Sequence, residues 1–245
     1  TISFPLNRQN TSPSNSWFCL VDLLYTGFVS NLLNETISLQ NLEEDLYLIE
    51  DKIQTPIEER VEIKLYYECL CPDCRTFDTI AFKSTVEKLA SNLDLKLYPY
   101  GNAQTIDNGN GTYIFQCQHG PDECYGNKLH ACAIQILGNM TKAVFFNSCL
   151  MDYSQRNRGS NDEAADKCGK SLDVDSEAIK QCAKGPEGNS LLKNYGDESK
   201  KAGFRYVPYI LINGVVNDGN NFMRDVCAAF TTPPAACEQI NQNSK

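Results

Sequence analysis

The sequence predicts an α/β fold: one sheet made from a strand–helix–strand unit and a late pair of strands, with a helical insertion between them and a helical extension in front. Three observations carry this. Apolar residues alternate at Val61, Ile63, Leu65 and Tyr67, a helical stretch follows, and a second alternation places Leu93, Leu95 and Leu97 on one face. Two strands joined by a helix of that length form a right-handed parallel crossover. Finally, YVPYILINGVV at Tyr206 to Val216 spells a strand, an Asn213-Gly214 hairpin turn and a second short strand.

Taken in order, residues 1–16 carry two prolines among Asn, Ser and Thr, which predicts a mobile arm. Trp17, Leu20, Val21, Leu24, Phe28 and Leu32 recur at helical spacing, and Ile37 to Ile53 reads as a second, acidic helix. Residues 1–60 are thus an N-terminal extension, either a cap or prosegment or a helical pair packed on the main domain. The main domain is expected over 61–237, with a strand at 61–68, a helix at 75–91 and the second strand after it. Residues 101–127, polar and Gly-rich with little periodicity, predict a long loop held by cysteines. Short helices follow at 128–137, 143–151, 176–183 and 190–201, making an insertion of about 115–202. A final helix near 221–230 closes the domain, and 238–245 form a tail.

Composition narrows the classes. Asp and Glu number 31 against 22 Lys and Arg, and no basic cluster appears, which excludes a nucleic-acid partner. The longest apolar stretch, Trp17 to Leu33, is interrupted by Asp22, Thr26, Gly27 and Asn31, so no membrane span is expected. Twelve cysteines suit a protein oxidised in the secretory route. Sequons at Asn10, Asn34, Asn110 and Asn139 are glycosylation candidates compatible with that route.

The chemistry concentrates in CPDC, Cys71 to Cys74, placed where a strand gives way to a helix. There a sulfur meets unpaired backbone N–H groups and the positive end of the helix dipole, both of which favour the thiolate that attacks disulfides. Cys71, nearer the exposed end, is assigned as nucleophile and Cys74 as resolving thiol. Pro72 suits the first helical position, where no N–H is needed. Asp73 acts as a tuning residue: its charge opposes the Cys71 thiolate, which destabilises the reduced pair and biases it towards a reductant. Two other readings of CPDC stay open, half of a zinc site completed by Cys69 or by Cys117, His119 and Cys124, and an inert structural element. Val207-Pro208, before the YILI strand, fits the cis proline that packs beside the thiol pair in a thioredoxin-like fold and offers backbone groups to an extended peptide. That assigns Val207 and Pro208 to substrate binding. The histidines His119 and His130 read as packed polar residues, with proton transfer the alternative for His119.

CQHGPDECYGNKLHAC, Cys117 to Cys132, resembles the signature CQHGxxECxxNxxxxC of the gamma-interferon-inducible lysosomal thiol reductase family. Cys117, Gln118, His119, Gly120, Glu123, Cys124, Asn127 and Cys132 fill its fixed positions, and LYYE at 65–68, YPYGNAQ at 98–104 and YVPY at 206–209 are similar as well. The resemblance spans about 61–237. It implies a thioredoxin-like domain with a helical insertion, an active pair at Cys71 and Cys74, and reduction of protein disulfides at acidic pH in endosomes or lysosomes. Disulfide-bonded proteins would be the substrates, a small-molecule or protein thiol the electron donor, and no metal or organic cofactor is called for. Cys19 and Cys69 are additional to the family's set. They are expected either to form a disulfide tying the extension to the domain or to leave Cys19 free to block Cys71. The remaining cysteines, Cys117, Cys124, Cys132, Cys149, Cys168, Cys182, Cys227 and Cys237, are candidates for structural disulfides, with Cys227–Cys237 expected as a local pair around Pro233 and Pro234.

Overall fold

The computed structural model describes residues 59–109, 111–153 and 159–242. The chain divides after Ile57, and these residues all lie in the second of its two units. Cys19, the predicted N-terminal helices and the sequons at Asn10, Asn34 and Asn110 lie outside them.

Strand β1 (Val61–Tyr67) pairs in parallel with β2 (Leu93–Pro99) and antiparallel with β5 (Tyr209–Ile212), which pairs with β6 (Val215–Asn217). The sheet order is therefore β2-β1-β5-β6, the mixed sheet of a thioredoxin-like fold. Between β1 and β2 the chain runs through α1 (Pro72–Thr76), a π-helical stretch (Phe77–Phe82) and α2 (Lys83–Leu89). Helix formation thus starts at Pro72, three residues before the expected 75, because the fixed φ of proline and its missing N–H suit the first helical position. Ile63 and Leu65 of β1 and Leu95 and Leu97 of β2 pack with Phe82, Val86 and Leu89 of the crossover and Phe222 and Val226 of α8 (Phe222–Ala228). Full burial of each such side chain is worth about 1.5–3 kcal/mol.

The insertion has a core of its own. Helices α3 (Pro121–Leu137), α4 (Met140–Asp152), α5 (Asp162–Leu172) and α6 (Ser176–Lys184) enclose Leu129, Phe146, Leu150 and Ile179. Cys132–Cys182 joins α3 to α6, and Cys149–Cys168 joins α4 to α5. Helix α7 (Pro186–Ala202) then returns the chain to the sheet, and Cys227–Cys237 ties α8 to α9 (Ala235–Gln242).

Several expectations are corrected. The long loop at 101–127 contains an antiparallel hairpin, β3 (Gln104–Asp107) and β4 (Tyr113–Gln116), and its last residues are the first turns of α3. The hairpin lies on the surface, so neither of its faces is apolar enough to show an alternation. Helix α5 was not anticipated: its buried residues are Ala164, Ala165, Cys168 and Gly169, too small to leave an apolar stripe. The supposed tail begins inside α9, which starts after Pro233 and Pro234.

Candidate active site

Cys71 occupies the N-cap of α1, its carbonyl accepting from Arg75 N at 3.0 Å. Pro72 stands at the first helical position. Cys71 is 7% exposed, and its sulfur lies 4.0 Å from the carbonyl oxygen of Val207. Val207-Pro208 is a cis peptide, and it brings the loop before β5 against the helix start. Cys74 is 1% exposed and sits one turn further in.

The two sulfurs are inequivalent. A hydrogen bond from the Cys74 thiol, together with the main-chain N–H groups of Cys74 and Asp73, overrides burial and lowers the Cys71 pKa to about 6. For Cys74 burial dominates, the Cys71 charge adds to it, and the thiol is pushed far up. Asp73 acts in both directions: its exposed carboxylate raises the Cys71 pKa, but this is the smallest of the effects and its own N–H works against it. The nucleophile is therefore activated despite its acidic neighbour. Asp73→Asn should lower the Cys71 pKa further and make the potential less negative by about 30 mV or less in a glutathione titration. A more negative potential would refute that role.

Cys69 has no disulfide partner among the described residues, and Cys19, its expected partner, lies outside them. Its thiol has no exposed surface, and its sulfur donates to the Glu123 carbonyl at 3.5 Å. Its N–H donates to Asn127 Oδ1 at 2.9 Å. A Cβ at Gly126 would come within 2.5 Å of that sulfur, so α3 closes over Cys69 only because Gly126 has no side chain. Cys117 and Cys124 are bonded to each other, which removes them as thiolate ligands for a zinc ion.

Two site residues escaped the sequence reading, Glu68 and Glu123. Both carboxyls are fully buried. Glu123 receives the His119 main-chain N–H at 3.1 Å, and its Oε2 lies 2.6 Å from His119 Nδ1. The same ring nitrogen is 3.4 Å from Glu68 Oε2, while Glu68 Oε1 accepts from Asn102 N at 2.7 Å. Burial raises the Glu68 pKa to about 7, and the charges of Glu123 and Cys71 push the same way. The available signals were the position of Glu68, which links β1 to the thiol pair, and of Glu123, a fixed residue of the signature. His130 is also buried, with Nδ1 3.0 Å from the Tyr67 hydroxyl and Nε2 2.9 Å from Ser160 Oγ. Burial lowers its pKa to about 3 and keeps it neutral.

The signature is thus a structural statement about the thiol pair: its helix closes the disulfide Cys117–Cys124, fixes the Cys69 main chain and turns His119 and Glu123 towards Glu68. A family model for gamma interferon inducible lysosomal thiol reductase matches residues 62–172, which take in β1, CPDC and the signature. A gamma-interferon-inducible lysosomal thiol reductase from Carassius auratus is 35% identical over 73% of this chain and 72% of its own length. A gamma-interferon-inducible lysosomal thiol reductase-like protein from Anopheles gambiae is 31% identical over 74% and 81%. The chain belongs to the gamma-interferon-inducible lysosomal thiol reductase family. Its membership makes it a thiol reductase on a thioredoxin-like scaffold with the pair Cys71 and Cys74. Among solved structures, MdbA, a thiol-disulfide oxidoreductase from Corynebacterium diphtheriae, is similar at 18% identity and a TM-score of 0.49, over 72% of this chain and 86% of that one.

A groove of about 450 Å³ runs along the helix from Pro72, past Arg75 and Thr79 to Ile80, with Met151 and Asp152 opposite. Ile80 is 69% exposed there. Asn139 is exposed, and its Oδ1 caps α4 by accepting from Lys142 N at 2.9 Å.

Proposed function

We propose that this protein reduces disulfide bonds of other proteins at acidic pH, with Cys71 attacking and Cys74 resolving. Cys71 attacks one substrate sulfur and displaces the other as a thiolate; Cys74 then attacks Cys71, releasing the second substrate sulfur. Two electrons pass to the substrate, and an external thiol, small molecule or protein, restores the pair. The observation that carries this reading is the asymmetry of the two sulfurs. At pH 5 an ordinary thiol of pKa about 8.5 is about 0.03% thiolate, whereas one near 6 is about a tenth ionised, a gain of about 300-fold in attacking species. The groove beside Pro72 and the Val207 carbonyl supply a face for an extended polypeptide flanking the cysteine. Lysosomal or endosomal residence, reached through the secretory route with glycans at sequons such as Asn139, is the setting in which such a pKa is useful.

In an insulin-reduction turbidity assay at about pH 5 with cysteine as donor, the wild type should precipitate the B chain and Cys71→Ser should not. Equal traces would overturn the reading and favour a binding protein on the same scaffold. The lowered Cys71 pKa also supports a second reading, an oxidase or isomerase, because stabilising the thiolate stabilises the reduced pair. That stabilisation grows as pH rises past about 6 and fades below it. Glutathione titrations at pH 5 and pH 7 separate the two, a reductase being poised well below the glutathione couple at pH 5.

A further inference from the structure

Two fully buried carboxyls, Glu68 and Glu123, stand either side of one imidazole, and among the described residues neither has a Lys or Arg ion-pair partner. Buried carboxylates without a cation are expensive, so protons must balance them. His119 is the wet end of this cluster: its side chain is 37% exposed, while both carboxyls are closed to water. With its amide nitrogen turned inward, Gln118 donates to both Glu68 oxygens at 3.1 and 3.2 Å. The other end is the thiol pair. The Cys74 sulfur takes a hydrogen bond from the main-chain N–H of Glu68, and beside Cys71, Glu68 is the ionisable group acting on it. Glu68 is in turn faced by Cys71 from the helix start and by His119 and Glu123 from the signature loop and α3.

We propose that Glu68, His119 and Glu123 form a proton relay between the buried resolving thiol and solvent. This rests on the assignment of Cys71 and Cys74 as the redox pair, and it gives the signature's His and Glu a chemical task. The need arises from the bookkeeping of resolution. Once Cys71 is in a mixed disulfide, Cys74–SH must lose its proton before its sulfur can attack Cys71 and expel the substrate thiolate. Water has little access to the sulfur of a residue that is 1% exposed. Forming the mixed disulfide removes the Cys71 charge that helped hold the Glu68 proton, so Glu68 ionises, its proton passing to His119 Nδ1 while the ring releases one from Nε2 to water. The Glu68 carboxylate then takes the Cys74 proton. Cys74 closes the Cys71–Cys74 disulfide, the substrate thiolate departs, and no proton or electron is left unassigned. Glu123 positions His119, its Oε2 lying 2.6 Å from Nδ1.

The test uses pre-reduced full-length protein and the chromogenic disulfide 5,5′-dithiobis(2-nitrobenzoate) in stopped flow at about pH 5.5. The first equivalent of released thiolate reports Cys71 attack, and the second reports resolution by Cys74. Glu68→Gln and His119→Gln should slow the second phase at least tenfold and change the first less than threefold. Added imidazole should restore the second phase of His119→Gln in a concentration-dependent way and leave Glu68→Gln slow, a rescue that a purely structural role would not give. Wild-type second phases in both variants, or equal losses in both phases without imidazole rescue, would overturn the relay. Failure of the wild type to release two equivalents would instead overturn the assignment of the thiol pair.

Discussion

Cys74→Ser should capture its substrate. The variant keeps the main-chain N–H groups of Asp73 and Cys74, so Cys71 remains activated for attack, though it loses the thiol hydrogen bond that is the largest cause of its lowered pKa. The attack should therefore slow, by about tenfold if the pKa rises by a unit or so, and still give a mixed disulfide. Resolution, however, has no second sulfur to perform it among the described residues. Cys69 cannot stand in, because it is fully buried against the Glu123 carbonyl and burial pushes its thiol well above the ordinary range. On non-reducing gels Cys74→Ser should accumulate an adduct with disulfide-bonded insulin-type substrates that dithiothreitol dissolves, and its turnover should drop by a factor of about 10³ or more. Cys71→Ser should form no adduct. An adduct in Cys71→Ser that maps to Cys74 or Cys69 would reverse the assigned roles.

The order of events along the sequence was legible because the sheet residues are large and alternate. Ile63, Leu65, Leu95 and Leu97 all face the core and announce their strands. The cis Val207-Pro208 and the thiol pair were found from their places in that order, one before β5 and one after β1. What stayed hidden depends on long-range contact. Glu68 and Glu123 are 55 residues apart and meet only because α3 docks on the end of β1. A glutamate in isolation reads as surface, and although Glu68 precedes the thiol pair and Glu123 is fixed in the signature, nothing in the sequence says that the two are buried around one histidine. The fate of Cys69 was equally invisible: Gly126, Ser160 and the Glu123 carbonyl enclose its sulfur, and all three come from the insertion. Asp73 shows what remained open: both its opposing charge and the favouring N–H groups of the helix start can be read from the sequence, but which of them outweighs the other is a property of the folded helix start.

With Cys71 and Cys74 oxidised to a disulfide, the folded protein should be more stable at pH 5 than at pH 8, which is unusual for a chain with 31 acidic residues. Asp78 lies in the π-helical stretch, 4% exposed, and burial raises its pKa from 3.8 to about 7. A raised pKa means the native state holds a proton that the unfolded state gives up, so this contribution is complete below about pH 3.8 and is lost as pH rises through 7. Between pH 5 and pH 8 the loss is about two units of pKa, or about 2.7 kcal/mol. Glu68, raised from 4.5 to about 7, adds a similar amount in the same window. His130 opposes them. Its pKa is lowered from 6.5 to about 3, so its contribution is complete above 6.5 and declines on acidification, by about 2 kcal/mol at pH 5. The two carboxyls outweigh the histidine by roughly 3 kcal/mol, a difference of roughly 5–10 °C in Tm for a domain of this size. Thermal scans at pH 5, 6.5 and 8 should show this order in protein whose Cys71 and Cys74 are oxidised to a disulfide, because the free Cys71 thiol, with its pKa lowered from 9.0 to about 6, adds stability as pH rises past 6 and would offset one carboxyl. Asp78→Asn, neutral at every pH, should remove about four-fifths of the difference between pH 5 and pH 8. A Tm that is equal at pH 5 and 8, or higher at 8, would mean that Asp78 and Glu68 are ionised in the native protein at neutral pH at little cost, and would remove the proton that the Glu68 relay needs at rest.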